Sequence, residues 1–500
     1  MSRINTNVTS LAAERMLGMN KVSLNKSLER LSTGIRINRG SDDPAGLIAS
    51  NNLGNELRSI NAAVGNAERA DQVVGIAEGG LQEVSGLLEE LQGLITATAS
   101  SAGLSKEEKQ ANQLQIDSIL QTIDRISAAT SFQGIKLLNG NFDFKTSGVS
   151  TGVSDFKINS AKFSGDSLKI DVQVTQSAQQ AGLVLSVGGT QLSLTGNNQF
   201  VIEVTGAKGS RELTFSNNTT LNSIMSSINT FTETTGVQAA VSGQAIRIES
   251  ADFGNDQFVN VKIVNAGGLT TEGSIADLDS DDFNSLGSNA YLFNTSSATN
   301  GVRDQGQNIR ATVNGVAATT DGKHIRINTD FLDVEMNMAT SQSQTLGAVN
   351  AFTITGGGAN FQLGGKVDIG SKVSLGIADV AVRKLGDSEL GYLSSLASGQ
   401  ANNVINGDLS AAQKIVGQST GQISGLRGRL GAFQKNTIGA TVRSLNVASE
   451  NTAAAQSVIR DADFAKETAS LTRSQILVSS ATQILTLANQ QPQSVLQLLG

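Results

Sequence analysis

The spacing of apolar residues divides the chain into helical ends and a β-rich middle. In residues 1 to about 140, apolar side chains recur at steps of three, four and seven, as at Leu17, Leu24, Leu28 and Leu31. This spacing predicts amphipathic helices that pack along a seam. From about 141 to 385 the period changes to two, which predicts short strands. The alternation is clearest in the stretches that begin at Leu168, Leu183, Ile246 and Ile325.

The helical period returns from about residue 386 and continues to the end of the chain. The last 27 residues, Ser474 to Gly500, contain no charged side chain, but Gln, Ser and Thr interrupt the apolar positions. A helix of this composition is not a membrane span and is typical of a helix that partners cover.

Local signals predict where the first helices end and begin. Gly34 and Gly40 are expected to break the chain between the first two helices. Asp43 is expected to cap the next helix, because its carboxylate can accept free backbone N–H groups, and Pro44 suits the first helical turn. Within the β-rich middle, the stretch from Asn222 to Thr230 is expected to form a short helix.

These patterns predict an α+β fold. Neither helical end has an obvious globular core, so we expect the two ends to pair as long antiparallel, coiled-coil-like helices, with the β-rich region as an insert on their outer side. Burying one Leu is worth roughly 1.5–3 kcal/mol, whereas fixing one residue's backbone costs roughly 1–2 kcal/mol. We therefore expect the outermost segments to be disordered in a monomer and to become ordered on assembly.

The amino-acid composition excludes several classes of function for this chain. The chain has no Cys and one His, His324, which excludes disulfides, thiolate metal sites and two-His metal sites within one chain. No catalytic triad is expected at His324, which is interpreted as an exposed turn residue, so neither an enzyme nor a cofactor is predicted. The net charge of −7 argues against nucleic-acid binding. No secretory signal peptide and no apolar run long enough to span a bilayer is visible, so membrane insertion is not expected.

Several short motifs at both ends, in order, resemble those of the bacterial flagellins. The resemblance covers roughly residues 1–140 and 400–500. The motifs are Ile4–Asn7, Leu31–Asn38, Ser41–Leu47, Ile123–Ile126, Phe132–Leu138, Ile459–Ala465 and Ala488–Leu499. Residues 211–261 are similar to a small module of some flagellins and hook-associated proteins.

The resemblance implies a five-part organisation. Residues 1–40 would form the N-terminal inner-core helix, and 41–145 the N-terminal part of an outer helical core. Residues 146–385 would form a solvent-facing β-rich insert of one or two domains, with the similar module near 200–265. Residues 386–458 would complete the outer helical core, and 459–500 would form the C-terminal inner-core helix.

The resemblance also implies a function and partners. The chain would be a non-enzymatic subunit of the extracellular flagellar filament, a helical homopolymer that serves swimming motility. It would be exported unfolded by the flagellar type III apparatus, and an export chaperone would hold about 460–500 until export. Hook-associated and cap proteins would be further partners.

Subunit packing is expected to use apolar seam residues from both ends. These residues are Ile4, Val8, Leu11, Leu24, Leu28, Leu31, Ile35, Leu471, Val478, Leu485, Val495, Leu496 and Leu499.

A second predicted site is a patch on the later part of the second helix. In many flagellins the corresponding helix carries arginines that the vertebrate Toll-like flagellin receptor reads and that axial subunit contacts use. This chain has Glu90 and Gln92 at those positions, and charge reversal at an arginine anchor should weaken binding strongly. We therefore expect weak or absent receptor activation. The patch comprises Leu88, Glu89, Glu90, Gln92, Leu94 and Gln115.

Two alternative functions remain open at this point. The Asp-Asp-Pro of residues 42–44 also resembles hook–filament junction proteins of the same superfamily, although the run from Asn489 to Leu499 matches filament subunits better. A secreted adhesin on a helical stalk would require a binding cluster within 141–385, and the sequence alone reveals none.

Overall fold

The computed structural model describes residues 6–100, 103–196, 198–269, 272–278 and 286–497. The chain forms two compact units. The first contains the residues up to Gln72, Phe361–Lys372 and the residues from Ala432 on. The second contains Val73–Asn360 and Val373–Gly431.

Long helices lie towards both chain ends, and short helices lie in the middle. The helices are α1 (Val8–Thr33), α2 (Pro44–Thr98), α3 (Lys106–Ala129), α4 (Leu221–Thr230), α5 (Thr232–Thr235), α6 (Ser296–Asn300), α7 (Thr340–Ser343), α8 (Leu409–Ala432), α9 (Gly439–Arg460) and α10 (Phe464–Gln497), with a 3₁₀ turn at Leu393–Leu396 and a π-helical segment at Phe433–Ile438.

Twenty-four short strands occupy the described residues between α3 and α8. They are β1 (Ser131–Phe132), β2 (Ile135–Lys136), β3 (Phe144–Ser147), β4 (Val153–Ala161), β5 (Leu168–Gln176), β6 (Gly182–Ser186), β7 (Phe200–Gly206), β8 (Gly209–Phe215), β9 (Val237–Ser242), β10 (Ala245–Ser250), β11 (Phe258–Asn265), β12 (Ser274–Leu278), β13 (Leu286–Leu292), β14 (Val302–Gln305), β15 (Arg310–Val313), β16 (Val316–Ala317), β17 (Thr319–Asp321), β18 (His324–Asn328), β19 (Leu332–Met338), β20 (Gly347–Gly357), β21 (Ala359–Gln362), β22 (Lys372–Leu375), β23 (Gly386–Asp387) and β24 (Gly391–Tyr392).

In the first unit the two ends of the chain pair with each other. Near the start of α1, the Asn7 side-chain amide donates to the Ala488 carbonyl at 2.8 Å, and further along, the Asn20 side-chain amide donates to the Leu477 carbonyl at 3.4 Å. Early α1 thus meets late α10, which makes the pair antiparallel. The first part of α2 lies beside α9, where the Gln456 side-chain amide donates to the Ser50 carbonyl at 3.0 Å.

In the second unit, the later part of α2 packs with α3 and α8 around aliphatic side chains. Because apolar residues recur every three to four positions, each helix presents one continuous apolar face to the others. The core-facing residues that are almost fully buried include Leu81, Leu88, Leu91, Ile95, Ile116, Ile123, Ile423 and Leu426.

The β-rich middle of the second unit contains two cores, each between a pair of antiparallel sheets. In the inner β core, the sheet β16-β15-β5-β20-β3 faces the sheet β17-β18-β19-β4. In the outer β core, the sheet β13-β12-β6-β10-β9 faces the sheet β14-β11-β7-β8, and α4 packs against the same core. Strand alternation explains this layering, because one face of each strand is buried and the other is polar.

The structure confirms the α+β fold and most of the expected elements. The Gly34 backbone has φ 71°, a left-handed conformation that ends α1. The short helix expected at Asn222–Thr230 is α4. The helical pattern expected from about residue 386 was wrong at its start, because α8 begins only at Leu409. The buried Gln113 side chain instead binds the irregular segment before α8, at the Leu396 carbonyl and the Val404 N–H.

Candidate subunit interface

The seam between α1 and α10 is built from small side chains. Ala13, Ser27, Ser474, Ala481 and Ala488 are each less than 9% exposed. Small residues allow two helix backbones to approach closely, so the large aliphatic residues flank the seam instead of filling it. Sequence periodicity did not reveal this, because Ala and Ser carry little weight in a search for apolar residues.

The predicted packing residues flank this seam or face outward. Leu24, Leu31, Ile35, Leu471, Val478 and Leu485 are half-buried, whereas Val8, Leu11 and Leu28 are exposed. Ile4 and Leu499 lie outside the described residues. Val495 and Leu496 belong to α10, but their side chains are not among those the structure describes.

Both end helices leave a substantial apolar surface exposed. Exposed fractions reach 67% at Val22 on α1 and 70% at Phe464 on α10. A surface of this kind is unusual for a monomeric protein and marks a contact site. Among the described side chains, the large apolar residues that are exposed are Val8, Leu11, Met16, Met19, Val22 and Leu28 on α1, and Phe464, Ile476, Leu477, Ile484 and Leu487 on α10.

The breaks that follow α1 and precede α10 are paired with each other. The Arg36 N–H donates to the Arg460 carbonyl at 2.7 Å, and the Ala462 N–H donates to the Gly34 carbonyl at 3.0 Å, around an antiparallel bridge between Ile35 and Asp461. The Arg36 guanidinium also donates to the Ile459 carbonyl, at 2.6 Å from Nη2. We name residues 34–36 and 459–462 the paired connector.

The start of α2 is held by the cap that the sequence predicted. The Asp43 carboxylate accepts the Gly46 N–H at 2.9 Å, and Pro44 is the first helical residue. A Cβ atom at Gly46 would lie 2.5 Å from the Asp43 Oδ2 atom and 2.8 Å from Ile37 Cδ1. A side chain at position 46 would therefore displace the Asp43 carboxylate or the Ile37 side chain, so the reason for glycine here is close approach and not an unusual backbone angle.

Asp42 fixes the turn before this cap. Its carboxylate pairs with the Lys26 ammonium at 2.8 Å and accepts the N–H groups of Asn38 and Arg39. The Lys26 contact and the backbone donors lower the pKa of Asp42 from 3.8 to about 2. Because the folded-state pKa is lowered, the resulting stability is present above about pH 4 and is lost as the pH falls towards 2.

We expect an Asp42→Asn variant to unfold at a lower temperature than the wild type at pH 7, because Asn cannot pair with Lys26 as an anion. This difference in Tm should shrink below pH 4 and be largely lost near pH 2, where the wild-type carboxylate also takes up its proton. Thermal scans by circular dichroism at several pH values measure both curves. A Tm difference that is independent of pH would contradict the assigned role of the Asp42 charge.

The residues of the predicted receptor patch do not share one surface. Leu88 is fully buried in the helical core, while Glu89, Glu90 and Gln115 are exposed and Gln92 and Leu94 are half-buried. Residues 70–105 contain no Lys or Arg. The exposed face of the later part of α2 is therefore acidic.

A partly buried charge cluster joins α8 to the inner β core. The Arg429 guanidinium donates to the Asn159 side-chain oxygen, and the Asn159 amide donates to Asp333 and Glu335, at 3.1 Å each. Arg326 pairs with both carboxylates, at 3.6 and 3.3 Å. Burial lowers the pKa of Arg429, because the charged guanidinium loses hydration there. Sequence reasoning missed this cluster because its members lie far apart in the chain.

No helix among the described residues is both long and apolar enough to cross a bilayer. In the same part of the chain, acidic, His and Cys side chains form no group of three suited to a metal ion.

Paired helical ends with an exposed apolar surface, joined to a β-rich insert, define a structural subunit that assembles with other chains. The N-terminal helical region of bacterial flagellin matches residues 4–143, and the C-terminal helical region of bacterial flagellin matches residues 413–499. Flagellin B of Vibrio cholerae is 28% identical over 499 residues, and the match covers 99% of each chain. The flagellin of Salmonella typhimurium is 28% identical over 514 residues, again with 99% of each chain covered.

The chain belongs to the bacterial flagellin family, as both terminal regions and the full-length relatives establish. It is a structural, non-enzymatic subunit of the extracellular flagellar filament. The hook–filament junction alternative is not favoured, because these full-length relatives are flagellins.

Solved structures of other flagellar proteins overlap only loosely. The D2-D3 domains of the Escherichia coli flagellar cap protein give a TM-score of 0.26 at 20% identity, covering 43% of this chain and 97% of that chain. The flagellar hook associated protein-3 of Legionella pneumophila gives a TM-score of 0.25 at 12% identity, covering 85% of this chain and 98% of that chain. TM-scores of this size do not establish a shared arrangement.

Proposed function

We propose that filament subunits pack through the exposed apolar surface of α1 and α10. This proposal rests on one observation: large aliphatic side chains remain exposed on α1 and α10 although these two helices already pair with each other. Each such side chain gains roughly 1.5–3 kcal/mol when a neighbour covers it. A neighbouring copy supplies the same surface, so each subunit both covers and is covered.

The charge-free end of α10 supports the same proposal. A charged side chain inside a packed helical assembly would need a partner or lose its hydration. Ile476 and Ile484 are 61% and 59% exposed in the single chain, on a segment without charges.

We expect an Ile484→Asp variant to keep its monomer fold and to lose filament growth. The side chain is exposed in the single chain, so the substitution costs the monomer little, but it places a charge in the proposed apolar contact. Electron microscopy of seeded growth measures the outcome. Lys466→Gln, at an exposed charged position of the same helix, is the matched control and should grow. Normal filaments from Ile484→Asp would exclude this surface from packing.

The exposed apolar surface of α1 and α10 is also available to bind the further partners proposed for this chain. Before export, a chaperone that covers residues 460–500 would prevent premature packing of the apolar residues on α10. Passage through the type III export apparatus requires an unfolded chain, and the absence of Cys from the sequence is compatible with that route. Cap and hook-associated proteins would meet the chain at the two ends of the filament.

We propose weak or absent activation of the Toll-like flagellin receptor. The acidic, exposed Glu89 and Glu90 support this, since they would repel a site that accepts arginine. Leu88, which was included in the predicted patch, is unavailable without unfolding.

Purified monomer should therefore stimulate receptor-reporter cells far less than a flagellin that carries arginines in this patch. A Glu90→Arg, Gln92→Arg double variant should raise the response. A Glu68→Arg variant, on the same helix but outside the patch, is the matched control. Strong activation by the unmodified monomer would overturn the proposal.

A further inference from the structure

A polar cavity of about 240 Å³ lies where the inner and outer β cores of the second unit meet. Its lining comes from two separated stretches, 176–180 and 304–310, and from the single residues Asn255, Leu278 and Thr320, so it is not visible in the sequence of 141–385. The lining residues that bear on the argument are Gln176, Gln180, Asp304, Gln305, Gln307 and Arg310.

The walls of the cavity are held in place by backbone and side-chain hydrogen bonds. Gln179 and Gln307 exchange N–H to carbonyl hydrogen bonds, both at 2.9 Å, where the chain passes between the cores. The Asn255 and Asn308 side-chain oxygens each accept the other residue's N–H, both at 2.9 Å. The Asn308 side-chain oxygen also accepts the Gly322 N–H at 2.9 Å, which connects this wall of the cavity to the inner β core. The cavity is therefore formed before any ligand arrives.

These contacts leave a defined set of polar atoms unused. The side-chain amides of Gln180, Gln305 and Gln307 donate to backbone carbonyls at 2.8, 2.6 and 2.9 Å. Their amide oxygens accept no hydrogen bond from the described residues. The side chains of Gln176 and Arg310 make no hydrogen bond or ion pair within the same part of the chain. The cavity thus offers both acceptors and donors.

The charges in the lining select the class of ligand. Asp304 and Arg310 offset each other, so neither an anion nor a cation is favoured. Hydroxyl groups both donate and accept hydrogen bonds, which matches the mixed set of unused atoms. At about 30 Å³ per water, the cavity has room for roughly eight waters, a space comparable to one sugar ring. We propose that this cavity binds a neutral polyhydroxylated ligand, a single sugar residue.

The proposal is tested on the full-length monomer by saturation-transfer NMR and calorimetry with glucose, galactose, mannose and N-acetylglucosamine. At least one sugar should bind saturably. A Gln176→Leu, Arg310→Leu double variant removes two groups that make no contact within the described protein, and it should weaken binding at least about tenfold. Gln173→Leu, exposed on the same strand and outside the cavity, is the matched control and should bind as the wild type does.

Methyl glycosides of the same sugars distinguish the source of the ligand. If they bind as well as the free sugars, the cavity accepts the terminal residue of a larger glycan; if only free sugars bind, it accepts a soluble monosaccharide. Absence of saturable binding by the whole panel, or equal binding by the double variant, would overturn the proposal. Filament assembly is measured separately, so its outcome does not depend on this test.

Discussion

A chain that ends at Ile459 will not form filaments under conditions in which the full-length protein grows micrometre-long filaments from seeds. The truncation removes α10 and with it the partner of α1. It also removes one side of the paired connector, where Arg36 and Gly34 bind residues 460 and 462. The remaining α1 would keep its exposed apolar side chains without a seam to hold the helix.

Electron microscopy of both proteins after seeding measures this effect. The second unit should remain folded, because none of its core residues lies beyond 431. Circular dichroism of the truncated protein should therefore retain the β-sheet signal. A truncated chain that assembles as well as the full-length protein would show that the end helices do not drive polymerisation.

Replacement of Arg429 by Met will destabilise the second unit by about 2 kcal/mol. The buried Asn159 side-chain oxygen would lose its hydrogen-bond donor, and leaving a buried polar group unsatisfied costs roughly 1–3 kcal/mol. Asp333 and Glu335 would lose a nearby positive charge but would keep their pairs with Arg326.

Urea unfolding followed by circular dichroism gives the free-energy difference. Lys414→Met is the matched control on the same helix, because the Lys414 side chain is 45% exposed and pairs with Glu233 at the surface. Its loss should cost less than about 1 kcal/mol. Equal losses in the two variants would mean that the Arg429 cluster contributes no more than a surface ion pair.

The sequence was sufficient to predict most of the elements because their periods differ, although the stretch between residue 386 and the start of α8 was wrongly expected to be helical. Steps of three and four at the ends and alternation in the middle separated helices from strands, and the Asp43-Pro44 signal located the start of α2. These are local effects of backbone geometry, so they can be recognised without knowing the tertiary structure.

Features that depend on distant residues could not be predicted in this way. The Arg429 cluster joins residues 159, 326, 333, 335 and 429, and the cavity joins stretches near 176, 255, 305 and 320. The pairing of the two helical ends was predicted, but the residues at the centre of the α1–α10 seam were not. The close approach of the two helices requires small residues there, and these are Ala and Ser. Leu88 was assigned to a surface patch, although tertiary packing buries it.

The paired connector has a mechanical consequence. Two covalent links lead from the end helices to α2 and α9, and hydrogen bonds at residues 34–36 and 459–462 join these links side by side. A twisting load on α1 and α10 is therefore shared between these two connecting segments. The hydrogen bonds that join the segments must break together before either segment can extend. The first unit can thus transmit torque with little local stretching, as a rotating filament requires.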